Sequence, residues 1–211
     1  MRENGKKLMV AAAALAVALG AANAEGDRRG KGGAREPVLG TRLAATALLA
    51  GKLPESWLQA AGGNEPPRSL EWPVSGQRID RGFVADNGRH KAIDIRVEAG
   101  TPVRAMADGI VGYASSGVRG YGNLVLLLHP GGWVTLYAHL ERMEVEPGQR
   151  VERGSIVAFS GSTGASSHPH LHFALLVRGK AVDPTRYMPR TPDARLLLTR
   201  FASRLVPGAS T

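Results

Sequence analysis

Short apolar runs separated by turn residues fill the chain between residues 70 and 187. Each run is only a few residues long, and the segments between the runs contain Gly or Pro. Runs of this length with such boundaries are typical of antiparallel β-strands. The runs are residues 109–113, 124–128, 133–138, 155–159 and 171–177. No long helical pattern interrupts them, so the sequence predicts a mainly β fold, an antiparallel sheet or sandwich, for a folded domain over residues 69–188.

The residues before this domain carry two different patterns. Residues 27–35 are rich in Gly and Arg and too poor in apolar residues to fold alone. Residues 41–61 have a loose helical spacing of apolar residues, which Pro54 interrupts. We interpret residues 25–68 as a partly disordered linker with a short helical segment. The segment either packs against the domain or only tethers it, and the tether is the simpler interpretation.

Residues 1–24 have the pattern of a secretory signal peptide. Arg2, Lys6 and Lys7 precede a short Ala-rich apolar run, and Ala22 and Ala24 fit a cleavage site. The run is shorter than the roughly 20 apolar residues that a membrane anchor needs. We therefore expect export without a stable membrane span. The Ala- and Arg-rich composition favours the periplasm over full secretion.

Residues 189–211 form a basic tail with a weak helical pattern. Leu197, Leu198, Phe201 and Leu205 fall roughly on one face of a helix. Such a helix either docks on its own domain or lies on a membrane surface, and docking is the commoner outcome.

The chain carries a formal charge of +9 and contains no cysteine. Strong positive charge favours polyanionic partners. Because the expected export separates the protein from nucleic acid, we expect anionic cell-wall polymers as partners instead. Without cysteine an exported protein has neither a disulfide nor the lipid attachment site of a lipoprotein, so its core or a bound metal has to stabilise it.

The histidines are clustered late in the chain. Five of the six lie between His129 and His172, and the sixth, His90, comes four residues before Asp94. Side chains at i and i+2 of a strand share a face, so His170 and His172 point the same way. Two imidazoles and one carboxylate around an open fourth position are typical of a catalytic zinc site.

A series of short motifs follows in a fixed order along the domain. They are Trp-Pro-Val-Ser-Gly at 72–76, His-Lys-Ala-Ile-Asp at 90–94, Gly-Thr-Pro-Val at 100–103, Ala-Asp-Gly at 107–109, Gly-Tyr-Gly-Asn at 120–123, Tyr-Ala-His-Leu at 137–140, Gly-Gln-Arg-Val-Glu-Arg-Gly at 148–154, Gly-Ser-Thr-Gly at 161–164, His-Leu-His-Phe at 170–173 and Asp-Pro-Thr-Arg-Tyr at 183–187. Together they resemble the lysostaphin-type (LytM-like) zinc metallopeptidases of bacterial cell walls, over essentially the whole folded domain.

The resemblance implies roles for individual residues. By their matching positions, His90, Asp94 and His172 are expected to bind one zinc ion. His139 and His170 are expected to stand beside the metal, where they activate water and stabilise the oxyanion; which of them does which stays open. The implied function is that of an exported zinc endopeptidase, which hydrolyses cross-links or stem peptides of peptidoglycan.

Two positions depart from the family pattern, and one histidine has no match in it. Ala92 stands where Gly is usual, which would strain the turn if the backbone there had a positive φ. His168 also replaces a usual Gly and is either a residue of the groove's rim or a spare metal contact; we favour the rim. His129 is interpreted as an ordinary surface or strand-end histidine.

Three other functions fit parts of the sequence. A lipoyl or biotinyl carrier domain needs an acceptor Lys at a hairpin tip, and no Lys lies between Lys91 and Lys180. A structural protein that holds zinc only for stability leaves His139 and His170 unexplained. A catalytically silent relative that activates a cell-wall amidase is the main alternative, and the complete set of expected ligands favours the enzyme over it.

Overall fold

The computed structural model describes residues 39–50, 54, 57, 70–75, 78–84 and 89–189. The predicted signal peptide, most of the predicted linker and nearly all of the predicted basic tail lie outside these residues. Among the described residues, no helix is both long and apolar enough to cross a membrane.

The described chain is built from ten short strands with one helix before them. Their bounds are α1 Arg42–Ala50, β1 Arg78–Arg81, β2 Ile93–Arg96, β3 Pro102–Arg104, β4 Gly109–Ser115, β5 Asn123–Leu128, β6 Val134–Met143, β7 Arg150–Val151, β8 Ile156–Ser160, β9 His170–Val177 and β10 Lys180–Val182, followed by a 3-10 turn at Pro184–Arg186. The prediction of a mainly β fold is confirmed.

All strand pairs are antiparallel and belong to one sheet with the order β1-β2-β9-β6-β5-β4-β7. Off this path, β10 pairs with β9, and β8 pairs with both β3 and β6. The long strand β6 pairs with β9 through its first half, up to Ala138, and with β8 from Leu140 onward. The chain therefore changes partners at His139, between these two halves.

Both faces of the sheet are covered, which explains the continuous apolar run 124–128. Val125 and Leu127 of β5 point into the main core. Their neighbours Leu124, Leu126 and Leu128 point to the opposite face, in a second apolar cluster. Because side chains alternate along a strand, a run that is apolar at every position requires a cover on each side.

Helix α1 provides part of the second cover. Thr41 caps it by accepting a hydrogen bond from the backbone N–H of Ala44 at 3.1 Å. Leu48 is fully buried on the sheet, where a Cβ on Gly112 would lie 2.6 Å from its Cδ1. Burying one such leucine contributes about 2 kcal/mol. Residues 42–50 therefore pack against the domain, and the tether that we favoured from the sequence is wrong for these residues.

His129 directly follows β5 and is buried, so the interpretation as a strand-end histidine is confirmed and the alternative of a surface histidine was wrong. Its exposed fraction is 1%. The Nδ1–H group donates to the carbonyl oxygen of Asp108 at 2.8 Å, and Nε2 accepts from the Thr135 hydroxyl at 2.7 Å. The ring stacks on Trp133, with 3.9 Å between centroids. Burial lowers the pKa of His129 to about 4, although the Asp108 carbonyl opposes the shift.

Acid is expected to destabilise the fold through His129. Its pKa is about 4 in the folded protein, against an ordinary value of 6.5, so the unfolded chain binds the proton first as the pH falls. The stabilisation is complete above about pH 6.5 and is lost towards pH 4, by about 3 kcal/mol. Urea unfolding at several pH values should therefore show a steeper loss of stability for wild type than for His129→Gln. Parallel pH profiles of the two proteins would contradict this expectation.

Candidate metal and catalytic site

Paired strands place two of the predicted ligands next to each other. Asp94 on β2 and His172 on β9 are register partners. The adjacent register pair, Ile93 and Phe173, points to one face of the sheet and belongs to the main core. Asp94 and His172 therefore point to the other face of the sheet, the face that also carries α1. His170 shares this face because it lies two residues before His172.

His90, Asp94 and His172 form a cluster of three possible ligands. Each offers one ligand atom, and these atoms lie within 4.8 Å of one another. Oδ1 of Asp94 is 3.1 Å from Nε2 of His90 and 2.7 Å from Nδ1 of His172. The three residues predicted as metal ligands are thus brought together from a loop and two strands.

The tautomer of His90 shows what this cluster is suited to bind. Its Nδ1 lies 3.0 Å from the carbonyl oxygen of Gly82, which only accepts, so Nδ1 carries a proton. In the neutral ring Nε2 is then an acceptor that faces the Asp94 carboxylate. Two acceptors at this distance repel unless a proton or a metal cation lies between them. Imidazole nitrogens with a carboxylate oxygen are a donor set of catalytic zinc sites, so these residues fit a zinc ion.

Asp94 is the electrostatic centre of the cluster. Burial raises its pKa, but the hydrogen bond from His172 and the positive charge that His172, His90 and His170 carry when protonated outweigh burial and hold the pKa of Asp94 below its ordinary value. Arg81 on β1 adds a guanidinium nitrogen 3.7 Å from Oδ2. Asp94 is therefore an anion at neutral pH, the form that binds a metal.

His170 stands beside the cluster in a defined orientation. Its Nδ1–H group donates to the carbonyl oxygen of His168 at 2.8 Å. This bond leaves Nε2 as the basic nitrogen, 3.8 Å from Oδ1 of Asp94. His170 therefore presents a lone pair to the site, next to the ligands but outside the three-ligand cluster.

His139 reaches the site through an irregularity in β6. The pairing of β5 with β6 shifts register between Asn123 and Val125, and His139 has a φ of 60°. Such a backbone angle is uncommon for a residue other than Gly and is typical of functional sites. The backbone N–H of His139 donates to Tyr121 at 2.9 Å, and its Nδ1–H donates to the carbonyl oxygen of Thr163 at 2.7 Å. Its Nε2 is therefore the basic nitrogen.

The two additional histidines are close enough to act on one substrate group. The ring centroid of His139 lies 4.8 Å from that of His170 and 5.5 Å from that of His172. Burial lowers the pKa of His139 by more than the Thr163 carbonyl raises it. At neutral pH His139 is consequently uncharged and able to accept a proton.

The two departures from the family pattern leave the cluster intact. Ala92 is not among the described non-glycine residues with positive φ, which are Val84, His139 and Arg178, so its methyl group strains no turn. It is buried in the second apolar cluster instead. His168 is exposed at the rim of the groove and does not belong to the three-ligand cluster.

The site opens into a groove with a volume of about 650 Å³. Besides four of the predicted site residues, the groove is lined by Asp80, Arg81, Arg119 and Tyr121, which were not predicted from the sequence. The Tyr121 ring centroid lies 5.9 Å from that of His172. Tyr121 belongs to the Gly-Tyr-Gly-Asn motif, which was the available signal. The arginines carried no signal because single arginines in turns and strands are common in a chain this basic.

Two loops meet at backbone contact distance beside His139. Gly122 and Gly164 have φ values of +63° and +73°. A Cβ on Gly164 would lie 2.7 Å from the carbonyl oxygen of Gly120 and would clash with the backbone N of Gly122. This contact holds Thr163, whose carbonyl orients the His139 ring.

Replacing Gly164 with alanine is expected to destabilise the protein by more than about 2 kcal/mol. The left-handed φ alone costs a non-glycine residue about 1–2 kcal/mol, and the overlap with backbone atoms adds to it. Gly148→Ala is the matched control, because Gly148 has a φ of +86° and no heavy atom within 4 Å of an added Cβ. Urea denaturation measures both variants, and equal losses of stability would contradict the close contact.

Comparison with known proteins shows that the part of the chain that carries this site is similar to one peptidase family. The model of peptidase family M23 matches residues 88–184, which include His90, Asp94, His139, His170 and His172. A zinc-containing peptidase of known structure from Vibrio cholerae is 32% identical with a TM-score of 0.50, over 60% of this chain and 40% of that chain. The catalytic domain of the antimicrobial peptidase lysostaphin from Staphylococcus simulans is 31% identical with a TM-score of 0.45, over 56% of this chain and 89% of that domain.

Similar curated proteins include some that are named as activators of hydrolases and not as peptidases. The murein hydrolase activator NlpD of Salmonella dublin is 42% identical over 125 residues, which are 59% of this chain and 33% of that protein. The chain covers 39% and 33% of the length of the first two curated relatives it matches. The similarity thus concerns the domain that carries the site, within longer proteins.

Proposed function

We propose, from the peptidase family M23 domain that this chain carries over residues 88–184, that it is an exported zinc-dependent endopeptidase acting on the peptides of bacterial peptidoglycan. The observation that carries the proposal is the completeness of the site. Three residues fit one zinc ion, and two further histidines stand beside them with their Nδ1–H groups held by backbone carbonyls.

His90, Asp94 and His172 would hold the zinc, which when bound polarises a carbonyl group and lowers the pKa of a coordinated water. The chain's own residues do the rest. His139 and His170 each present an Nε2 lone pair that can take a proton from the attacking water. The imidazolium that results can donate this proton to the leaving amine, and a positive imidazole beside the carbonyl oxygen stabilises the negative charge that develops there.

The proposal extends to partners and location. Peptidoglycan peptides are the proposed substrates, and anionic cell-wall polymers are proposed to hold the protein on the wall through its positive charge, which falls from +9 to +7 when residues 1–24 with their three basic and one acidic residues are removed. Added salt is expected to weaken that second interaction. The cell envelope, and within it the periplasm, is the proposed location.

Activation of a murein hydrolase is the second candidate function. It is favoured by the name of the Salmonella dublin relative, which supports activation more directly than it supports hydrolysis. An activator needs a surface that binds another hydrolase and has no need of a proton acceptor. The oriented pair His139 and His170 is therefore the feature that favours the peptidase for this chain.

Digestion of purified peptidoglycan sacculi tests both functions. The protein, loaded with one equivalent of zinc, is incubated with sacculi before and after treatment with a chelator, and the fragments are identified by mass. Chelator-sensitive loss of cross-linked fragments is expected for the peptidase, and the fragment masses name the bond. Absence of cleavage by the zinc-loaded protein alone, together with faster release of stem peptides when a purified cell-wall amidase is added, would establish the activator instead.

A further inference from the structure

We infer that Arg119 binds a carboxylate of the peptide in the groove, so that the groove selects peptides with a free carboxylate close to the bond at the metal ligands. The inference rests on the proposed function for the identity of the peptide. It concerns binding, however, and is open to test whether or not the peptide is cleaved.

The strand order places Arg119 at one end of the groove. Asp94, His172 and His139 lie on the neighbouring strands β2, β9 and β6, and Arg119 lies in the turn from β4 to the next strand, β5. Arg81 lies at the opposite end, on β1. Strands are about 4.8 Å apart, so β5 is about 10 Å from β9, which is the length of about three residues of extended peptide. A carboxylate held by Arg119 is therefore about three residues or fewer from the cleaved bond.

The charges around the groove leave Arg119 as the group that lacks a counterion. Asp80 pairs with two other arginines at 3.1 and 3.0 Å. Asp94 belongs to the ligand cluster and faces Arg81 at 3.7 Å. Among the residues that the structure describes, no carboxylate forms an ion pair with Arg119, which is exposed and lines the groove. The end of the groove at Arg119 thus has a surplus of positive charge, to which a peptide carboxylate is complementary.

The backbone that carries Arg119 is tied to the site on two sides. The carbonyl oxygen of Gly120 accepts from the N–H of Ala165 at 2.9 Å, in the loop that approaches His170. The carbonyl oxygen of Tyr121 accepts from the N–H of His139 at 2.9 Å. The turn therefore has a fixed position relative to the histidines. A guanidinium on such a turn can bind a carboxylate through two parallel N–H···O bonds, which a carboxamide cannot match.

The experiment compares two forms of one peptide. The probes are the synthetic stem tetrapeptide L-Ala-γ-D-Glu-diaminopimelate-D-Ala with free carboxylates and the same peptide with all its carboxylates converted to carboxamides. Their dissociation constants are measured by titration calorimetry on the full chain, zinc-free and zinc-loaded. Wild type is expected to bind the free acid at least about threefold more tightly than the amide, as for a partly exposed ion pair, with a smaller ratio at high salt.

Two variants show whether Arg119 is the cause. Arg119→Gln should bring the ratio to about one while leaving the affinity for the amide unchanged. Arg178→Gln removes the same charge from an exposed turn at the far end of β9 and should keep the wild-type ratio. Equal binding of the two peptides by wild type, or a preference that survives Arg119→Gln, would overturn the inference.

Cleavage data keep this inference separate from the proposed function. If the chain cleaves cross-linked peptides without any preference for the free acid, the peptidase stands and the role of Arg119 falls. If it binds the free acid preferentially through Arg119 but cleaves nothing, the carboxylate site stands and the peptidase falls. With an active enzyme, Arg119→Gln should raise KM and leave kcat unchanged.

Discussion

Asp94→Ala is expected to weaken zinc binding by more than about a hundredfold, because it removes one of the three proposed ligands and the only carboxylate among them. The other two proposed ligands, His90 and His172, come from a loop and from β9, and both contact Asp94 Oδ1, at 3.1 and 2.7 Å. Zinc content by elemental analysis and competition with a chromophoric chelator measure the effect.

Asp80→Asn is the matched control for that prediction. Asp80 lines the same groove, but its carboxylate pairs with Arg78 and Arg96 and is not part of the three-ligand cluster. This variant should keep one zinc per chain at nearly wild-type affinity. A zinc affinity of Asp94→Ala within tenfold of wild type would show that the metal, if bound, is held by other residues.

His170→Ala should lower the rate of peptide cleavage by about a hundredfold to ten-thousandfold, the range for loss of a general acid or base, while zinc remains bound. The cleavage rate is expected to fall without loss of zinc because His170 Nε2 faces the site from outside the three-ligand cluster. His139→Ala should act similarly. The double variant should lose less than the product of the two single losses, because residues that act as a unit are not additive.

His168→Ala is the control for the rate measurement. The His168 ring is exposed at the rim, and what orients His170 is the backbone carbonyl of His168, which the substitution retains. The rate of this variant should stay within a few-fold of wild type. Zinc-loaded His170→Ala that retains more than about a tenth of the wild-type rate would remove His170 from the proposed mechanism.

Loss of catalysis in these variants also bears on the second candidate function. An activator would work through contacts with another hydrolase, so the amidase-stimulating effect should persist in His170→Ala. A variant that loses cleavage and retains stimulation would show that the domain supports both functions, and one that loses neither would leave the histidine pair without a role in either.

The three candidate metal ligands were assigned through the resemblance to a family, and residue type and spacing contributed only part of that assignment. His170 and His172 lie two apart on one strand, so their shared face follows from the geometry of a strand alone. Asp94 is the register partner of His172 because β2 pairs with β9, and this pairing joins two segments that are far apart in the sequence. The resemblance to a family supplied this relation, and hydrophobic periodicity could not have done so.

Two features, the burial of His129 and the packing of α1, were not predicted from the sequence, and each has a physical reason. His129 has the polarity of a surface residue, and its burial depends on the Asp108 carbonyl, the Thr135 hydroxyl and the Trp133 ring, which together satisfy both ring nitrogens and cover the ring. Helix α1 is only nine residues long and apolar at most of its positions, so its sequence does not mark one buried face and could not decide between a tether and a packed segment. Its place became definite only with the apolar strip of β5 that it helps to cover.

Local sequence was enough for the mainly β fold and the approximate strands, because strand alternation and turn chemistry are properties of neighbouring residues. The candidate ligands came from the resemblance of the motifs to a family. Only tertiary packing decided the left-handed backbone of His139, the contact of Gly122 with Gly164 and the placement of Arg119 at one end of the groove. Each of these depends on which distant strands and loops come together. That arrangement is selected by the burial of the whole sheet and not by any one segment.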